Sequence, residues 1–325
     1  MTRRTAGALL LGGLVLAFVA APVLAPNEPA RQFPGQAYAP PMRPRLIDDG
    51  GFRRPFVYPL IIVNRLERRF REDHVRPLTL EFFTRGRAVT TGSPEPLLLL
   101  GADPLGRDVL ARLLSGGRRS LGVAAVAVLI TLIIGSVAGA AAGFVGGRLD
   151  RVVTAIADFV VVLPMIYAVV TLRASLPLFL PPSVIFWSMA AVMAAASWPL
   201  PARGVRAIIA AERRKPYAEA AYAAGAGPLR ILLRHLLPAA AGHVAVQGLL
   251  LFPAFIFAEA MLSFVGLGFA EPSASWGVML RDAARIPTMI EAPWLLSPAA
   301  AIVVTVLATR MLTAGPDESL PLADR

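Results

Sequence analysis

Apolar and polar positions along this chain fall into long blocks rather than short periods. Ala6 to Ala25 carries no charge and has about the length that a bilayer-crossing helix needs. Further blocks with little or no charge cover Ser120 to Gly147, Val152 to Leu172 and Ser183 to Trp198. Two more run from His235 to Ala258 and onward to Gly268, and from Ala292 to Thr309. These six blocks predict six transmembrane helices. Only helices or closed barrels span lipid and no strand-like alternation stands out, so the pattern predicts an all-α membrane protein. Residues 26–118 break it: Pro and Arg are frequent, apolar runs are short, and "RLERRFREDHVR" is a dense run of charge. That composition predicts a hydrophilic segment outside the bilayer, packed in part through Phe56 to Val63, "FVYPLIIV".

Charge orients the blocks. Arg3 and Arg4 precede the first one; held inside, they make it a transmembrane helix with a cytoplasmic N-terminus. A cleaved signal peptide is the alternative, because "AFVAAPVLA" would suit a signal peptidase. Six crossings then return the C-terminus to the cytoplasm and place residues 201–238 there. This stretch holds Arg203, Arg206, Arg213, Arg214, Lys215, Arg230 and Arg234 against Glu212 and Glu219, as the positive-inside rule requires. The arginines of 26–118 lie outside, which is tolerated because segments beyond about 60 residues translocate largely regardless of charge. The expected organisation is 1–25 as N-terminus and first helix, then 26–118 as the outer segment. A five-helix core follows over 119–310 with its loop at 201–238, and 311–325 form a polar cytoplasmic tail.

Composition narrows the function. The 325 residues are 56% hydrophobic and 16% charged, too few charges for an ordinary soluble domain. Cysteine is absent, which excludes disulfides, zinc–thiolate clusters and thiol chemistry, and the histidines His74, His235 and His243 are too scattered for a metal site. The net charge of +11 is carried by arginine, with Lys215 the one lysine; it fits cationic loops beside an anionic bilayer better than nucleic acid. No GxxxxGK[ST] sequence occurs, so the chain does not cradle ATP phosphates in that way. An intramembrane hydrolase would need a motif such as Gly-x-Ser-x-Gly or His-Glu-x-x-His, and neither occurs. A secondary transporter with its own ion coupling would show inverted repeats, and no convincing repeat is present.

Several positions carry more specific expectations. Gly135, Gly139, Gly143 and Gly147 recur every four residues and predict one helix face that a neighbouring helix can approach closely. Asp158 and Glu259 lie in or near spans, where acidic groups either face a pathway or make structural hydrogen bonds near a helix end. Arg173 is placed to snorkel to the interface. In "PYAEAAYAAGAGPLRILLRHLLPAA", Pro216 starts a short helix through Ala224 and Gly225 ends it. Gly227-Pro228 starts a second helix, and Pro238 stands at the entry to the fifth span. The thin first helix, with Glu219, Tyr217 and Tyr222, predicts a piece that docks in a groove of another protein. A helix lying on lipid would carry Lys or Arg opposite Leu or Phe, and this one has neither.

Glu219-Ala220-Ala221, then Gly225, then His235 and Leu237-Pro238 resemble the EAA loop of ABC importer permeases. "LLGADPLGRDVLARLLSGGRRSLGVA" and "EAMLSFVGLGFAEPSASWGVML" resemble two further segments of the peptide and nickel branch of that family, in the right order. Two departures stand out: Ala239 where Asn is usual, and "TRMLTAGPDESLPLADR" where the family has a "GDGLRD"-like ending. The resemblance implies a type I permease fold in the bacterial inner membrane. It implies partners as well: a second homologous permease, two ABC ATPase subunits that use the ATP, and an extracytoplasmic substrate-binding protein. It implies peptide cargo, with nickel or another small solute as the alternative. Tyr217 to Ala224 would be the coupling helix. The Asp103-Gly106-Arg107-Asp108 cluster would either help receive the binding protein or cap the helix beginning near Asp108.

Overall fold

The computed structural model describes residues 3–48, 51–64, 67–84, 86–163, 171, 180–284 and 286–313. The outer half of the expected third span, Arg173 and the polar tail after Thr313 lie outside them. The chain divides into two compact units, one of Met1–Thr5, Val123–Ala258 and Thr309–Arg325, the other of Ala6–Gly122 and Glu259–Ala308.

Helices dominate. α1 (Arg3–Val19) is followed by the single turn α2 (Ala21–Leu24), with Pro22 in its first turn where no N–H is needed. α3 (Val109–Val145) is a 37-residue helix that starts well before the apolar block it contains. α4 (Gly147–Val162) follows; then α5 (Pro182–Ser197) and α6 (Pro199–Glu212) form a pair bent by 45°. Pro199 and Pro201 stand at that bend, where their missing N–H groups leave the chain unable to continue a straight ladder. α7 (Pro216–Ala223) and α8 (Pro228–Ile231) are short; a π-helical turn (Leu232–Leu236) then joins α8 to α9 (Leu237–Val265). α10 (Trp276–Ala283), α11 (Ile286–Glu291), a 3₁₀ turn (Pro293–Leu296) and α12 (Ser297–Thr313) complete the order. Among the described residues, three helical stretches are long and apolar enough to cross a membrane: Val109–Val145, Pro228–Val265 and Pro293–Thr313. The bent pair makes a fourth if it is one span.

The expectation of an all-α chain is corrected in the outer segment. β1 (Arg45–Asp48), β2 (Gly51–Val57), β5 (Leu78–Thr84) and β6 (Arg87–Thr91) form one antiparallel sheet in the order β1-β2-β5-β6. β3 (Leu60–Asn64) and β4 (Arg69–Glu72) form a separate hairpin. The strands are short, and their charged residues hide the alternation: along β3 burial alternates, but β2 is exposed at one end and buried at Phe56 and Val57. Val57, Leu60 and Leu80 meet Ala39, Met42, Leu97, Leu98 and Ala102 in one apolar core. That core is what lets a segment so rich in arginine fold.

Candidate functional site

The surface turn between α6 and α9 is built by punctuation. Pro216 opens α7 and Gly225 closes it in the left-handed conformation, φ +79°, which a glycine adopts without strain. The Gly225 N–H bonds the Tyr222 carbonyl and the Ala226 N–H bonds that of Ala221, the paired bonds of a Schellman cap. Gly227 in extended conformation and Pro228 then start α8.

α7 has two faces. Ala218 is fully buried against Val205, Ile209, Ile231, Leu236 and Ala240, with Ala221 and Ala226 packed on the same cluster. Tyr217, Glu219, Ala220 and Tyr222 face out. The Tyr217 hydroxyl donates to Glu212 Oε2 at 2.7 Å, and Lys215 Nζ donates to Glu212 Oε1 at 2.7 Å. Desolvation, the hydrogen bond to Glu212 and the charge of that carboxylate push the Tyr217 phenol up to about 12. The tether holds the ring at the start of the helix.

Past α8 the helix widens: the Leu237 N–H reaches back five residues to the Leu232 carbonyl. Pro238 supplies the reason, since it has no N–H for the Arg234 carbonyl and its ring would clash there in a regular helix. His235 lies in this turn, partly buried, with Nδ1 unpartnered among the described residues; Leu237 is partly buried and Pro238 exposed.

The glycine stripe is shorter than its spacing predicts. A Cβ at Gly135 would lie 2.8 Å from the Trp198 carbonyl oxygen, one at Gly139 would run into the backbone of Ala202, and one at Gly143 would meet the carbonyl oxygen of Arg206 at 2.5 Å. α6 therefore lies against these three. Gly147 is the correction: α3 ends at Val145, Gly147 has φ +60° and nothing lies within 4 Å of its Cβ position. The helix ended before the stripe reached its fourth member. Arg206 also reaches Asp150 of α4 through Nη2 at 2.6 Å and through Nε, and Asp158 pairs with Arg203 at 2.6 Å. Both pairs tie α4 to α6.

In the other unit, Glu259 is fully buried and accepts from the Ser263 hydroxyl at 2.7 Å; the same hydroxyl accepts the Phe269 N–H at 3.1 Å. Asp108 caps α3, accepting from the Leu110 N–H at 2.9 Å and from Asn27 Nδ2 at 2.9 Å.

Asp103 and Arg107 belong to a cluster that local spacing does not reveal. Arg107 Nε donates to Asp103 Oδ2 at 2.6 Å, and Arg112 Nε lies 3.4 Å from the same oxygen. Glu271 closes the cluster: its Oε1 accepts from Arg107 Nη2 at 3.1 Å and Arg112 Nη2 at 2.9 Å, and its Oε2 from Arg107 Nη1. Burial alone would raise the Glu271 carboxyl; the bond from Arg107 and the charges of Arg112 and Arg107 hold it below its ordinary range. Glu271 lies 164 positions from Arg107, and no periodicity connects them.

The apolar helices of membrane length define a multi-pass membrane protein. Residues 132–314 match the family model for the inner membrane component of binding-protein-dependent transport systems, and the chain belongs to that family. It is 34% identical over 221 residues to an oligopeptide transport system permease protein of Bacillus subtilis, covering 68% of this chain and 70% of that one. It is 36% identical over 222 residues to a dipeptide transport system permease protein of the same organism, covering 68% and 67%. An oligopeptide transport system permease protein of Haemophilus influenzae is 36% identical over 228 residues, covering 69% and 70%.

Proposed function

We propose that this chain is the permease subunit of an ATP-driven ABC importer and forms, with a second homologous permease, the path for peptides brought by an extracytoplasmic binding protein. It crosses the bacterial inner membrane six times with both termini in the cytoplasm. Residues 201–238 are its EAA loop. Two separate ATPase subunits bind that loop and hydrolyse the ATP; the chain binds no cofactor itself. Peptide cargo is supported by relatives named for oligopeptide and dipeptide transport.

One observation carries the coupling role: α7 turns Tyr217, Glu219, Ala220 and Tyr222 outward while Ala218 and Ala221 sit on the cluster containing Ile231 and Leu236. The outer face fits a groove in the ATPase, with Glu219 as its polar contact. The inner face passes displacement into Pro228–Val265 through His235, Leu237 and Pro238. Gly135, Gly139 and Gly143 hold α6 close behind. Asp158 and Glu259 serve as structural partners of Arg203 and Ser263.

Gly225→Asp tests the reading. An aspartate at φ +79° is strained relative to glycine, by less than the roughly 1–2 kcal/mol of most L-residues, and it adds a charged side chain to the cap that separates the two short helices. The expected result is loss of ATPase co-purification and of peptide uptake with the permease still in the membrane. Normal assembly and uptake in this variant overturn the assignment.

A further inference from the structure

The ionic cluster at the start of α3 has no part in the coupling role. Its floor is the pair Arg107 and Arg112, whose side chains are 2% and 1% exposed, while Glu271 is 33% exposed. Asp103 occupies the Nε edges of both guanidinium groups, so their Nη groups face Glu271. Asp282 stands 3.9 Å from Arg107 Nη2, beyond hydrogen-bond reach. Arg112 Nη1, which carries two N–H donors, is buried without a hydrogen-bond partner among the described residues, so the carboxylates here leave part of this floor unsatisfied.

Planar guanidinium forks match carboxylates, and here the matching carboxylate is the most exposed member of the cluster. Glu271 also lies between helices, in the stretch after α9 and before α10, so its movement breaks no helix. If it turned to solvent, the two buried cations would keep Asp103 in hydrogen-bond contact and Asp282 at 3.9 Å from Arg107, with no carboxylate on their Nη edges at hydrogen-bond distance. Another anion would have to replace it, because an uncompensated buried charge is costly. With both guanidinium groups nearly fully buried, a carboxylate on a slim, flexible chain end can take the place of a Glu side chain more readily than one fixed on a folded surface.

We propose that Arg107 and Arg112 form a carboxylate-receiving site whose resident occupant, Glu271, exchanges with the C-terminal carboxylate of a peptide. The inference rests on the peptide-import reading and assigns a receiving group to one end of that cargo. Glu271 keeps the pair compensated when no peptide is present. A neutral peptide end leaves it in place.

The test uses the assembled importer in lipid nanodiscs without its binding protein. The probes are an N-terminally dye-labelled tripeptide with a free C-terminal carboxylate and its C-terminal amide. Glu271→Gln removes the resident anion, so the acid should bind at least about fivefold tighter than to the wild type while the amide is unchanged. Equal shifts for both peptides, or no shift for either, overturn the inference. A Glu271→Gln effect that appears only after the binding protein is added, and equally for the acid and the amide, overturns it in favour of a contact with that protein. If Glu271→Gln does not assemble, Glu271→Ala is melted in acetate and in chloride at equal ionic strength. Stabilisation by acetate alone supports the site, and equal effects overturn it. Peptide uptake by the wild-type importer, measured separately, tests the import reading itself.

Discussion

The contact between α3 and α6 gives the sharpest stability prediction, through Gly139→Ala. In an exposed helix this change is favourable by about 1 kcal/mol, because alanine is the better helix former. At Gly139 the new Cβ would stand 3.0 Å from the Cα and carbonyl carbon of Ala202, and closer still to its oxygen. Carbon atoms prefer separations of about 3.5–4.0 Å, so the helices must part by roughly 0.5 Å or more at that point. The obstacle is backbone, which cannot rotate out of the way as a side chain does. Overpacking of this kind costs about 1–3 kcal/mol, so the net effect is a loss of about 0–2 kcal/mol. Gly242→Ala, in α9 with nothing within 4 Å of its Cβ position, is the control and should gain up to about 1 kcal/mol. The expected gap between the variants is therefore about 1–3 kcal/mol, read as a difference in melting temperature of the purified chain in one detergent. Equal melting of the two variants would refute the close-contact reasoning, whatever their common direction.

Three further outcomes follow. Burial pushes the Asp108 carboxyl up to about 6, against the bonds from Asn27 and the Ala111 and Leu110 N–H groups. Its folded pKa lies above its unfolded one, so the stability it contributes is full below about pH 4 and is lost as pH rises through about 6. The amount is on the order of 3 kcal/mol, and Asp108→Asn should flatten melting temperature against pH over that window; an unchanged slope contradicts the assignment. Asp150→Asn breaks the half-exposed pair with Arg206 and should cost less than about 1 kcal/mol, shrinking further in high salt; a larger, salt-independent loss would mean the carboxylate does something else. Tyr217→Phe removes the bond to Glu212, so ATPase co-purification should weaken without loss of the permease; unchanged co-purification argues against a held ring.

What the sequence disclosed depends on how local its cause is. The surface turn was legible because Pro216, Gly225, Gly227 and Pro228 each act on their own backbone. The membrane-length blocks were legible because lipid demands length and low charge, a demand that every residue of a span registers. The start of α3 was legible in Asp108 as a cap, although the apolar block itself begins only at Ser120, because Arg112, Arg118 and Arg119 lie in the helix's first turns. The outer strands leave little local signal because their core comes from residues as distant as Ala39 and Leu98, while Arg53, Arg54 and Arg71 dominate the local pattern. Gly147 falls outside the stripe because a repeat of four presumes a helix that lasts, and α3 ends two residues earlier. The Glu271 contact had no local signal.

The widened turn at Leu232–Leu236 bears on what a push from the surface becomes. A π turn amounts to one extra residue wound into a helix, and each residue of a helix accounts for about 100° of rotation. Pro238 holds that extra residue in place, so α8 and α9 stay offset around their common axis, and a push at α8 would meet α9 at that offset.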